Sequence, residues 1–221
     1  MEDTGLHEQR GPWRLPRGRR LQRAVLSRIA RWLGVKVLFI FSRSLRQSSE
    51  DELASRDGFD FKELSEADLL EFSEDPDLQF SSTFVRESLG RGDTCFGVLH
   101  RGRLVAYRWY AFEGPTPCDD GLEIRFASPG RAYGYKAFTD PGYRGRRLQD
   151  LCMRGADAAL LRRGCTHAVG YIGVHNYSSL RAQSRAQALE RLGYVAYLKA
   201  FGRAFVVSTS GVRRNRVSMG L

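Results

Sequence analysis

The stretch from Ala137 to Leu148 most limits what this chain can fold into. An apolar strand ends at Pro141-Gly142, a basic loop containing Gly145 follows, and a helical pattern begins at once. Over Arg144–Arg163, Leu148, Leu151, Cys152, Ala156, Ala159 and Leu160 fall on one helix face, and Gly164 ends the run. Thr166–Val174 then reads as a second strand. A strand, a helix and a strand in series form a crossover that lays the two strands parallel in one sheet.

The flanking pattern fills out that sheet. Val35–Ser42 reads as a strand, 46–62 as a polar loop, and Ser65-Glu66-Ala67-Asp68 as a helix cap. Phe80–Leu89 is a second short helix, broken by Gly90-Arg91-Gly92-Asp93. Thr94–His100 and Leu104–Phe112 make a hairpin about Arg101-Gly102-Arg103. Residues 114–121 read as a loop, and Leu122–Phe126 and Arg131–Thr139 as strand material. Beyond the crossover, Ser178–Leu192 reads as a helix stopped by Gly193, with strands at Tyr194–Ala200 and Ala204–Thr209. The expected class is α/β, a twisted mixed sheet with antiparallel early strands, a parallel crossover and helices on both faces. The domain spans 35–210, after an opening 1–34 and before a loose basic tail, 211–221.

The opening segment has its own pattern. Leu21, Val25, Ile29 and Trp32 recur at helical spacing, widened by Leu26 and Leu33, with Arg19, Arg20, Arg23, Arg28 and Arg31 around them. Such a helix packs on its own domain, lies on a membrane surface or docks on an acidic partner. No signal-peptide core precedes it, and the run Val35–Phe41 is too short to span a bilayer, so a cytoplasmic protein is expected. Cys95, Cys118, Cys152 and Cys165 have no CxxC spacing, so they read as reduced thiols and not as metal ligands.

Net charge is +10, from 35 Lys+Arg against 25 Asp+Glu. This balance calls for an anionic partner, and the loop shows where one fits. A helix start offers free backbone N–H groups and a partial positive charge, and Gly145 allows close approach. Arg144, Arg146 and Arg147 stand in or before the first turn, where positive charge opposes the helix dipole unless an anion is bound.

These residues resemble the GNAT superfamily of N-acyltransferases. Pro141-Gly142-Tyr143-Arg144-Gly145 is similar to that family's turn, and its Gln/Arg-x-x-Gly-x-Gly/Ala motif falls on Arg144–Gln149. Arg144 matches, whereas Arg147 and Gln149 replace small residues. Asn176-Tyr177-Ser178-Ser179 resembles the Asn-x-x-Ser/Ala after the next strand, and Arg191-Leu192-Gly193-Tyr194 the Lys-x-Gly-Phe that closes the following helix.

The resemblance implies that acetyl-CoA or another acyl-CoA is the co-substrate, with no metal. Pantetheine would pair with Ala137, Phe138 and Thr139, and with Asn176 and Ser179. The pyrophosphate would lie on Arg144, Gly145, Arg146, Arg147 and Leu148. A small or peptidic primary amine would attack the thioester directly. Glu123 and His175 are candidate bases. Leu189 stands where the family often carries Tyr, so Tyr177, with Tyr171 and Tyr194 as alternatives, is a candidate acid. Trp109, Tyr110 and Tyr135 are candidates to line an acceptor groove. Two other classes stay open: a non-catalytic acyl-CoA- or anion-binding module, and a membrane-surface or nucleic-acid binder acting through 18–33 and 213–216, which the lack of an aromatic-basic motif disfavours.

Overall fold

The computed structural model describes residues 34–47, 58–112, 114–118, 121–126, 129–176, 179–180, 189–201 and 203–220. Eleven strands and four α-helices lie among them, in two sheets. The expected helix at 18–33 and Tyr177 fall outside the described residues.

The larger sheet is ordered β10-β9-β1-β8-β7-β4-β3-β2. Its members are β1 (Lys36–Ser44), β2 (Phe59–Glu63), β3 (Thr94–His100), β4 (Arg103–Ala111), β7 (Arg131–Thr139), β8 (His167–Gly173), β9 (Glu190–Ala200) and β10 (Arg203–Ser208). A smaller sheet holds β5 (Pro115–Pro117), β6 (Glu123–Phe126) and β11 (Val217–Gly220). The β7–β8 pair is parallel, as the crossover requires, and the other pairs are antiparallel.

Strand β4 shows why the sheet is covered on both faces. A register shift around Val105 precedes an alternation in which Tyr107 and Trp109 face one way and Ala106 and Tyr110 the other. The first side packs with Leu69 of α1 (Glu66–Phe72), Val85 of α2 (Ser82–Gly90) and Phe80 in the link between them. The second side takes α3 (Leu148–Arg162), whose Leu148, Cys152, Ala156 and Leu160 form the buried stripe. Ser65 caps α1 as a reciprocal box with Asp68.

Several expectations are corrected. Within 46–62, Phe59–Glu63 forms edge strand β2, because its alternate phenylalanines pack on β3 and α3. Part of 114–121 forms β5. The described part of the tail, 211–220, is not loose. Ser210–Arg214 is helix α4, and β11 pairs with β6, burying Val212 and Val217. The end of the expected helix 178–192 also differs. Glu190, Arg191 and Leu192 begin strand β9, because Ser42 and Phe41 of β1 pair with Glu190 and Arg191. Gly193 is therefore a strand glycine. Its φ is +142° at a register shift, and a Cβ there would collide with the Thr209 hydroxyl.

Strand β1 does not pair with β2, its neighbour in the chain. It lies between β8 and β9. Its Arg43 reaches Asp157 of α3 at 2.6–2.7 Å, with the two side chains 2% and 0% exposed. Burial opposes the charge of Arg43, but Tyr110 and Asp157 hold its pKa above the ordinary value. Asp157 also accepts from the Arg46 amide, so one carboxylate ties β1 and the chain after it to α3. Asp157→Ala is expected to cost about 3–5 kcal/mol, because it strands a buried guanidinium. Arg43→Met combined with Asp157→Leu should recover most of that loss. Denaturant unfolding checks both.

Candidate active site

The parallel pair is short. Arg131, Ala132 and Tyr133 pair with His167, Ala168 and Val169, and pairing stops there. Strand β7 continues to Thr139 and β8 to Gly173. Each is held from its far side. Ser44–Leu38 of β1 follow β8 from His167 to Gly173, and Ala106–Ala111 of β4 follow β7 from Thr139 back to Tyr133. Gly134–Thr139 and Gly170–Gly173 therefore bound a gap that no described strand fills. A bulge on β7 sharpens the parting, since Arg108 and Tyr110 pair with Ala137 and Gly134.

The helix start lies directly beyond β7. Asp140 accepts from Gly142 at 2.7 Å and opens a 3-10 turn, Pro141–Tyr143. Tyr143 anchors this turn, because its hydroxyl lies 3.0 Å from His100 Nδ1 and its ring meets Phe59 edge-on. Gly145 follows at φ +83° and Arg147 at φ +58°. These two left-handed residues postpone the helix to Leu148, four positions later than Arg144, where the sequence pattern placed its start. Arg147 occupies the N-cap, and its side chain makes no capping bond. Arg144, Arg146 and Arg147 are all exposed, and among the described residues none pairs with a carboxylate. Arg146 lies over the Tyr143 ring at 5.5 Å. An uncapped helix start flanked by three unpaired guanidinium groups suits phosphate oxygens.

The two motif departures now have a geometric account. The left-handed backbone at 147 is the conformation that favours Gly, and Arg adopts it here. Gln149 turns inward. Its amide nitrogen donates to the Phe138 carbonyl at 2.6 Å, and its two N–H groups are shared with the Tyr107 carbonyl and Thr139 Oγ1, both at 3.2 Å. It clamps the end of β7 onto β4 and leaves the helix start open.

The gap has a polar wall that the sequence did not reveal. Tyr135 donates to Asp93 at 3.0 Å and lies 3.2 Å from Ser88 Oγ. Arg91 donates to Asp93 at 2.8 Å and to Ser88 at 3.0 Å. Burial raises the Asp93 pKa, with Arg91 and Tyr135 opposing, and burial lowers that of Lys136. Tyr135 and Lys136 both approach the Phe84 ring of α2, since the bulge brings neighbours onto one side. The Tyr133 ring lies between those of Tyr135 and Tyr171, 5.9 Å from the first and 6.3 Å from the second across the parting strands. The Gly90–Asp93 stretch had read only as a helix breaker, so Asp93 gave no signal.

Not every expected residue comes together. Ala137, Phe138 and Thr139 line the gap beside the basic loop. Trp109 and Tyr110 are fully buried in opposite cores and line no groove. Glu123 alternates with buried Ile124 and lies 3.8 Å from Arg125 on the outer side of β6, away from Tyr135. His175 and Asn176 are exposed just past β8. Asn176 accepts from the Ser179 amide at 3.1 Å, as a helix cap does. Cys152 is buried, donates to the Phe96 carbonyl, and has its pKa pushed up to about 12 by burial. It is a core thiol.

Arg147→Gly is expected to stabilise the protein by about 1 kcal/mol by relieving the left-handed backbone. Gln149→Ala is expected to cost about 1–3 kcal/mol by leaving buried carbonyls unpaired. Thermal unfolding of the two variants measures both.

No protein-family model matches the chain, and no curated protein matches it in sequence. Solved structures do match. A putative GNAT-family acetyltransferase from Novosphingobium aromaticivorans superposes with a TM-score of 0.52 at 20% identity, over 73% of this chain and 62% of that one. The match thus spans less than two thirds of that protein. An aminoglycoside 6'-N-acetyltransferase from Acinetobacter baumannii matches with a TM-score of 0.46 at 14% identity, over 61% of this chain and 92% of that one. A ribosomal-protein-alanine N-acetyltransferase from Brucella melitensis gives 0.44 and 16%, over 59% and 91%. The parted parallel strands, the helix that crosses between them and the Novosphingobium superposition agree: this chain has the fold of the GNAT acetyltransferases.

Proposed function

We propose that the protein is an acyl-CoA-dependent N-acyltransferase that passes an acetyl group from acetyl-CoA to a primary amine. One observation carries this reading: the gap between β7 and β8 opens beside an uncapped, Arg-flanked helix start. A thioester supplies an activated carbonyl carbon. The amine nitrogen bonds to that carbon, the carbon–sulfur bond breaks, and the thiolate takes up a proton.

In this reading the amides at the start of α3, with Arg144, Gly145, Arg146 and Arg147, hold the pyrophosphate. The edge of Ala137–Thr139 holds the pantetheine, and Asn176 and Ser179 close its far side. A backbone N–H near Phe138 would polarise the carbonyl. Tyr135 and its Asp93 network face the acceptor. His175 and Tyr177, beyond the end of β8, handle the protons; the outward position of Glu123 argues against it for that task. The same outward carboxylate favours a second reading, a binding module that keeps the fold and does not turn over.

Acetyl-CoA should raise the melting temperature, and added salt should weaken the effect. Arg144→Ala with Arg146→Ala should weaken binding about tenfold or more, and Gly145→Trp should remove it. Release of free thiol with a panel of aminoglycosides, polyamines and peptides then tests transfer. Binding without release supports the module, and no binding in the wild-type chain sinks both readings. Among the described residues no helix is long and apolar enough to cross a membrane.

A further inference from the structure

The outer end of the large sheet carries an uncovered apolar face. Phe205 is 55% exposed and Val207 is 72% exposed, both on edge strand β10, and Phe201 at the hairpin tip is fully exposed. The register shows that this is one continuous face. Phe205 pairs with Leu198, Val207 pairs with Ala196, and Ala196 also pairs with Val37 of β1. Directly opposed residues share a face of the sheet. The opposite face holds Val195, Tyr197, Ala204 and Val206, which belong to the core. Farther along the outer face, Phe39, Phe41, Ile172 and Tyr194 are covered by Leu180 and Leu189. The end at Leu198, Phe205 and Val207 has no such cover among the described residues.

The chain enters the fold at that end. Gly34, just before β1, lies against Leu198, with its Cβ position 3.5 Å from Leu198 Cδ1. The residues before it carry Leu21, Val25, Ile29 and Trp32 at helical spacing. Sixteen helical residues span about 24 Å, and three neighbouring strands are about 10 Å across. One helix is therefore large enough to cover the strip. Its tether at Gly34 gives it an effective concentration on the order of millimolar, which an untethered partner rarely matches.

We propose that residues 18–33 form an amphipathic helix that docks its Leu21–Val25–Ile29–Trp32 stripe on the outer face of β1, β9 and β10, over Leu198, Phe205 and Val207. The arginines then face solvent. The docked helix covers an apolar patch that would otherwise invite aggregation.

Amide hydrogen exchange of the full chain, read by mass spectrometry in dilute solution without lipid, tests this proposal. The amides of 18–33 should exchange about tenfold or more slowly than in the isolated peptide. Val25→Asp with Ile29→Asp should abolish that protection. Phe205→Ser with Val207→Thr, at exposed positions that leave the core intact, should abolish it too. Four results overturn the proposal: exchange at the peptide rate; protection that survives the β10 substitutions; protection that appears only with phosphatidylserine vesicles; and protection that grows with protein concentration, which would mean a second copy. The test does not depend on acyl-CoA binding, so its failure leaves the proposed activity untouched.

Discussion

The parting of β7 from β8 after Tyr133 and Val169 is the constraint on which the rest of the structure depends. Two parallel strands with twist in common would normally stay paired along their length. Here each is held more strongly elsewhere. Strand β1 follows β8 to Gly173, and β4 follows β7 to Thr139. The bulge near Tyr135 and Lys136 turns β7 away, and Gln149 fastens its end to β4 through two N–H groups shared among three acceptors. Buried Arg43 and Asp157 fix β1 against α3, so the strand that holds one wall of the gap is tied to the helix that opens at its mouth.

The basic loop shows how a motif can change in letters and keep its geometry. Position 147 needs a left-handed backbone, and Arg supplies it at the cost of some strain. Position 149 needs a side chain that stays clear of the helix start, and Gln stays clear by turning toward β7 and β4. Both substitutions therefore preserve the free amides of the first turn. They also add a guanidinium beside those amides and a clamp behind them. The net charge of +10 is consistent with a site of this kind, since unpaired arginines gather where an anion would bind.

Much of the architecture was legible in the chain itself. The strand-like composition of Thr94–His100 and Arg131–Thr139, the Ser65 cap and the stripe from Leu148 to Leu160 are local patterns, and local hydrogen bonding and burial enforce them. The helix–strand choice at Glu190–Leu192 was not legible, because it depends on whether a distant strand offers a partner, and β1 does. The same holds for β2 and β11, whose short polar-looking sequences become strands only beside β3 and β6. Glycine was read correctly as punctuation at 145 and incorrectly at 193, where close approach of Thr209 and not a helix end excludes a side chain.

By itself the sequence determined a mixed α/β sheet with a parallel crossover and an anion-suited loop entering a helix, because those features follow from periodicity, turn residues and charge within a few dozen neighbouring positions. The tertiary structure alone decided that β1 lies between β8 and β9, that the parallel pair opens after three residues, that Asp93 meets Tyr135 beside the gap, and that Glu123 faces away. Each of those joins residues far apart in the chain, and only the packing of strands and helices sets their distances.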